Sequence, residues 1–86
     1  MHEASLLVNL MHKIESVAKE NNSSKVTKVK VTLGALSHFT EDHFREHFES
    51  SSRGTVAEGA RLDVTSLTDI HHPLAQEVIL ESVDVA

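Results

Sequence analysis

An apolar stripe of helical period runs through the first twenty residues, and it constrains the fold more than any other feature of the chain. With residues placed about 100° apart, apolar side chains fall on one broad face and polar side chains fill the other. The stripe consists of Ala4, Leu6, Leu7, Leu10, Met11, Ile14, Val17 and Ala18, and Val8 falls outside it. The pattern predicts a helix from about Glu3 to Glu20 that must bury this face against another element.

Three later segments are predicted to be strands, and the first two of them have the period of two that is typical of strands. They run from Lys25 to Leu33, from Arg61 to Leu67 and from Glu77 to Val85. In the first segment, alternate residues should be buried. Lys28, Lys30 and Thr32 lie between them and should be exposed to solvent. The third contains the run 78–80, which is apolar on both faces and favours a central position in the sheet.

A second helix is predicted to begin near Thr40, which is a good N-cap residue. Phe39 and Phe44 flank this cap at the spacing of a hydrophobic staple. The helix should fray over residues 50–52, where Gly54 can close it. Residues 55–59 have capping-box spacing, which indicates one isolated helical turn.

The order helix–strand–helix–strand–strand predicts the α+β class. The first two strands are joined through a helix, so a parallel, right-handed crossover is expected. The third strand can return antiparallel, giving a small mixed three-stranded sheet with both helices on one face. The 86 residues are enough for one domain, which we assign to residues 1–86.

Composition excludes several classes of function. Eight basic and thirteen acidic residues give a net charge of −5, which argues against nucleic acid and anionic membranes as partners. The absence of cysteine excludes disulfides, thiolate zinc sites and cysteine nucleophiles. No apolar run approaches the roughly 20 residues of a membrane span, and the amino terminus does not resemble a signal peptide. A cytoplasmic domain is therefore expected.

The amino terminus carries a candidate metal site. We expect Met1 to be retained, because His2 is too large to permit its removal. The Met1 α-amine, the His2 backbone nitrogen and its Nδ1 could then bind Ni(II) or Cu(II) in one plane, with Glu3 as a fourth donor. From these residues alone, an unordered helix start without metal is the simpler interpretation.

The remaining histidines offer weaker candidates. His43 and His47 lie four residues apart on the second helix, but packing or surface roles are favoured over a ligand pair. His38 could approach the amino terminus, and we retain it as an additional candidate ligand. A small enzyme using His38 or the pair would need a deep pocket. His12 should be solvated, and His71-His72 should lie in a linker.

Several segments together resemble the HypA/HybF family of nickel metallochaperones. Their order and spacing match the family from residue 1 to about 67 and again from about 77. The matching segments are Met1-His2-Glu3 with Ser5, residues 34–37, Phe44, Phe48-Glu49, residues 53–62 and residues 80–85. The resemblance implies a nickel-binding domain of the predicted architecture and no enzymatic activity.

The resemblance also implies a site and partners. It places nickel on His2, the Met1 amine and Glu3, and implies delivery of Ni(II) for [NiFe]-hydrogenase maturation. The implied partners are a nickel-handling, HypB-like GTPase and the hydrogenase large-subunit precursor. Urease accessory proteins are implied in some organisms.

One departure from the family is large. Its members carry a zinc domain with two C-x-x-C pairs between the second and third strands, where this chain has only the linker 68–76. No zinc is therefore expected. The alternative function is an interaction module that docks on maturation partners without binding metal. Because the linker contains Pro73, we also hypothesise a homodimer formed by exchange of the third strand.

Overall fold

The computed structural model describes the backbone of residues 3–86 and the side chains of residues 5–86. Its elements follow the expected order and class, and the strand ends differ from the predicted ends by at most one residue. They are α1 (Glu3–Glu20), β1 (Val26–Leu33), α2 (Glu41–Ser52), β2 (Arg61–Ser66) and β3 (Val78–Val85). Between α2 and β2, residues 56–59 form turns, where the capping-box spacing predicted one isolated helical turn.

The sheet has the strand order β2-β1-β3. β1 pairs in parallel with β2, with Val29 opposite Leu62. It pairs antiparallel with β3, with Val31 opposite Leu80. Both expected strand directions are thus confirmed. The prediction that the third strand lies in the sheet centre is wrong, because β1 occupies that position.

The apolar run in β3 has a different explanation. Val78 and Leu80 pack against the core beneath the helices. Ile79 points to the opposite face, where it is paired with Thr32 and lies beside Leu74 of the linker. β3 is therefore apolar on both sides because the helices cover one side and the linker partly covers the other.

The helix-covered face of the sheet forms the core. The α1 stripe supplies Leu7 and Ile14, which are 2% and 0% exposed, and α2 supplies Phe44. Val8, the apolar residue outside the stripe, is 52% exposed as its position on the helix requires. In the part of the chain that the structure describes, neither helix is long and apolar enough to cross a bilayer.

The start of α2 has the predicted cap and staple. The Thr40 hydroxyl accepts a hydrogen bond from the His43 backbone N–H at 3.2 Å. The rings of Phe39 and Phe44 meet edge to face, with centroids 5.4 Å apart. One turn later, Arg45 Nη1 donates to the Leu62 carbonyl oxygen at 2.7 Å, which fastens the helix to β2.

The opposite face of the sheet is mostly polar. The Lys28 ammonium lies 3.0 Å from the Asp63 carboxylate on the neighbouring strand. This hydrogen bond is the main reason that the pKa of Asp63 is lowered. Thr32 was expected to be exposed to solvent, but its exposed fraction is only 6%. Its hydroxyl donates a hydrogen bond to Glu81 Oε2 at 3.0 Å.

The linker between β2 and β3 passes around the end of β1. The Gly34 N–H donates to the Glu77 carbonyl, and the Leu36 N–H to the Ala75 carbonyl. A Cβ atom on Gly34 would lie 2.2 Å from the Ala75 carbonyl oxygen, so only glycine fits there. The linker therefore lets β3 pair with β1 of the same chain. Exchange of β3 between two chains stays a hypothesis.

Candidate metal centre

The beginning of α1 lies at the end of the sheet where β1 finishes. A groove there is lined by Leu6 and Asn9 from α1, by Glu77, which precedes β3, and by Val78, its first residue. Val78 is paired with Leu33, the last residue of β1. The first turns of α1 and the loop that follows β1 are therefore located at the same end of the domain.

The predicted nickel ligands fall at this helix start. Met1 and His2 lie outside the described residues. Glu3 is the first residue of α1, and its side chain also lies outside the description. The amino-terminal site thus stays a prediction from sequence.

His38, the additional candidate ligand, lies in the loop between β1 and α2. Its backbone adopts a left-handed conformation with φ 66°, and its side chain is exposed. Among the residues that the structure describes, no group of three histidine or carboxylate side chains is arranged to hold a metal ion. Within the described part of the chain, His38 is therefore not grouped with two further histidine or carboxylate side chains that could complete a metal site.

His43 and His47, in contrast, lie together. Their Nε2 atoms are 2.8 Å apart, and their ring centroids are separated by 4.5 Å. His47 is half-buried, as the packing interpretation predicted, whereas His43 is exposed. The spacing along the sequence places both residues on one side of the helix, but it does not reveal that the ring nitrogens meet.

Phe39 is the aromatic side chain against which both imidazoles pack. Its ring centroid lies 5.9 Å from that of His43 and 6.5 Å from that of His47. Phe39 was predicted only as half of the staple with Phe44. Its second contact surface was missed, because the sequence does not show which rotamers the two histidines adopt.

The other histidines have the surroundings that the sequence predicted. His12 is exposed on α1. His71 and His72 lie in the linker, where the Asp69 carboxylate accepts from the His71 N–H at 2.9 Å. His72 Nδ1 accepts a hydrogen bond from the Leu74 N–H at 3.0 Å, so this ring stabilises a turn.

A cleft of about 350 Å³ separates α2 from the start of β2. It is lined by both arginine and glutamate side chains, among them Arg45, Glu49, Arg53 and Glu58. None of the histidines considered for an enzymatic role lines this cleft. An enzyme of the kind considered would need these histidines to line a common pocket, and they do not line this cleft.

Comparison with known proteins identifies the family. The family model described as "Hydrogenase/urease nickel incorporation, metallochaperone, hypA" matches residues 1–71. The chain belongs to the HypA family. HypA proteins are metallochaperones, which agrees with the expectation that the chain is not an enzyme.

Curated HypA relatives are similar over most of this chain. The hydrogenase maturation factor HypA of Aquifex aeolicus is 48% identical over 63 residues, covering 72% of this chain and 54% of the relative. The HypA of Methylocella silvestris is 39% identical over 64 residues, covering 74% and 57% respectively. The chain thus spans a little over half the length of these relatives.

Two solved structures show the same fold. The solution structure of the Ni metallochaperone HypA from Helicobacter pylori matches with a TM-score of 0.78 and 21% identity, covering 99% of this chain and 97% of that chain. A second solution structure, of a HypA protein, gives a TM-score of 0.77 and 23% identity, covering 100% and 97% respectively. The α+β architecture is therefore the HypA fold.

Proposed function

We propose that this chain binds Ni(II) at its amino terminus and delivers it for [NiFe]-hydrogenase maturation. The family match carries the proposal, because it covers residues 1–71 and so includes Met1, His2 and Glu3. The family description names nickel incorporation into hydrogenase or urease. The proposed unit is one nickel-binding domain, residues 1–86, in which residues 68–76 replace the family's zinc domain.

The donor chemistry of the amino terminus supports transfer of the metal. An amine, a backbone nitrogen and an imidazole form a planar nitrogen set that suits Ni(II). A site at a chain terminus leaves coordination positions accessible, so a partner can replace its ligands one at a time. Because free amines and imidazoles lose their protons at about pH 7.7–8.0 and 6.5, nickel affinity should fall steeply below neutral pH.

The partners belong to the same proposal. We infer a nickel-handling, HypB-like GTPase and the hydrogenase large-subunit precursor, with urease accessory proteins as alternative recipients. No zinc is required by this scheme. A cytoplasmic location remains a prediction.

A calorimetric Ni(II) titration at neutral pH tests the proposal. The native chain, starting at Met1, should bind about one nickel ion. The first control is His2→Gln, which removes the imidazole and keeps a second residue large enough for Met1 to be retained. The second adds a few residues before Met1, which removes the α-amine from the site and leaves every side chain in place.

Loss of nickel binding in both controls would support the amino-terminal site. Equal binding by all three proteins would contradict it, because the metal would then lie elsewhere. If none of the three proteins binds nickel, the chain is better explained as an interaction module that docks on maturation partners. Affinity that stays constant from pH 8 to pH 6 would likewise exclude the proposed ligands.

A further inference from the structure

The sheet has two edge strands, and they are covered to different degrees. On β2, the Arg45 guanidinium donates to the Leu62 carbonyl oxygen at 2.7 Å, so a side chain already occupies part of that edge. β3 pairs with β1 on one side, and in the described part of the chain no strand pairs with its other side. An uncovered edge strand can accept an added strand from another chain.

The outward backbone groups of β3 belong to two apolar residues. The Gly34 N–H donates to the Glu77 carbonyl oxygen at 2.9 Å, so Glu77 directs its carbonyl towards β1. Because successive residues of a strand direct their N–H and C=O groups to opposite sides, Val78 and Leu80 direct theirs away from β1. These two residues therefore offer backbone donors and acceptors along the free edge.

A groove runs beside this edge, between α1 and the beginning of β3. Its apolar lining consists of Leu6 and Leu10 from α1 and of Val78 and Leu80 from β3. Its volume is about 130 Å³, well below the roughly 300–1,000 Å³ of small-molecule pockets. The groove is therefore sized for one side chain of an added strand, and the free backbone groups beside it are those to which an extended peptide hydrogen-bonds.

The groove also carries a charged side chain towards each end. α1 and β3 both begin at the end of the sheet where β1 finishes, so Glu77 lies at one end of the groove and Lys13 towards the other. Neither side chain has an ion-pair partner among the residues that the structure describes. A segment with an acidic residue near Lys13 and a basic residue near Glu77 complements both charges.

We propose that an extended segment of a partner protein adds to β3 as an antiparallel strand and places one apolar side chain in this groove. Antiparallel pairs are the more stable per residue. An antiparallel segment runs from Lys13 towards Glu77, so it carries an acidic, an apolar and a basic residue in that order. The three are spaced two positions apart, because such residues share one face of a strand. This binding mode goes beyond the proposed nickel delivery and does not depend on it.

The test uses the full chain in buffer containing EDTA and a peptide of sequence TETLTKT, acetylated and amidated at its ends. The glutamate, leucine and lysine of the peptide share one face, and its threonines favour an extended conformation. Titration should change the backbone amide NMR resonances of Val78 and Leu80 in a saturable way and slow the exchange of these amides with solvent. The Leu62 amide, on the β2 edge, is the internal control and should not change.

Altered peptides and variants test each part of the groove. TETSTKT lacks the apolar side chain and should bind about tenfold more weakly. TKTLTET has its two charges exchanged and should bind about fivefold more weakly. Lys13→Glu should weaken the binding of TETLTKT by a similar factor. Lys25→Glu, at an exposed position outside the groove, should leave the affinity unchanged. Circular dichroism confirms that both variants are folded.

Unchanged resonances of Val78 and Leu80 at up to about 2 mM TETLTKT would overturn the proposal. Equal affinity for TETLTKT and either altered peptide would also overturn it, because the groove would then recognise neither the apolar side chain nor the order of the charges. If the same resonances change with protein concentration alone, the occupant is a second copy of this chain and the partner segment is excluded. None of these outcomes bears on nickel binding, which calorimetry measures separately.

Discussion

The two faces of the sheet are held by different kinds of interaction. On the helix-covered face, apolar side chains such as Ile14 and Phe44 are removed completely from water. On the open face, Lys28 pairs with Asp63, and Thr32 donates to Glu81. Burial of a large apolar side chain is worth more than a partly exposed polar pair. The covered face should therefore supply most of the stability, and the open face should tolerate change.

Truncation of a core side chain tests this comparison most strongly. Ile14→Ala should lower the free energy of unfolding by about 4 kcal/mol, because it leaves a cavity beneath α1. Val8→Ala, on the exposed side of the same helix, should change it by less than about 0.5 kcal/mol. Urea denaturation followed by circular dichroism suits a chain without tryptophan or tyrosine. Similar losses in both variants would contradict the difference between the faces.

The contact between Gly34 and the linker should come next in size. Gly34→Ala forces a Cβ into the Ala75 carbonyl and should cost about 3 kcal/mol. Gly59→Ala is the matched control, since φ is +76° there but the space is open, and it should cost only about 1 kcal/mol. The same denaturation experiment measures both. A Gly34→Ala protein as stable as the control would show that the linker can move away from β1.

Thr32 is buried although it lies on the open face of the sheet. Thr32→Val keeps the shape but removes the hydroxyl that donates to Glu81, and should cost about 1 kcal/mol. Thr65→Val, at the exposed position opposite Thr32 on β2, should have an effect below about 0.5 kcal/mol. If Thr32→Val is instead stabilising, burial of the methyl group outweighs the hydrogen bond.

The smallest effect is expected at the Lys28–Asp63 ion pair. The pKa of Asp63 is lowered from its ordinary value of 3.8, chiefly by the hydrogen bond from Lys28. The pair therefore stabilises the fold above pH 3.8, and this contribution is lost as the pH falls through the folded-state value. Asp63→Asn should lower Tm slightly at pH 7, and this difference should shrink as the pH falls below 3.8. A Tm difference independent of pH would exclude an ionic origin, and Glu15→Gln on α1 provides the exposed control.

The sequence predicts which residues could bind a metal and which of them share one side of a helix, because both follow from residue type and local spacing. The four-residue interval places His43 and His47 on one side of a helix. It does not predict that their Nε2 atoms meet at 2.8 Å. That contact depends on the rotamers that the rings adopt against Phe39. The amino-terminal site, in turn, rests on residue types and family membership.

The sequence by itself determined the helices, the strands and the faces that the two helices bury. These features follow from local periods and caps, such as the α1 stripe and the Thr40 N-cap, which neighbouring residues specify. Only the tertiary structure decided that β1 is central, that Thr32 is buried and that the linker passes Gly34. Those outcomes depend on contacts between segments distant in sequence, which a local pattern of hydrophobicity does not encode.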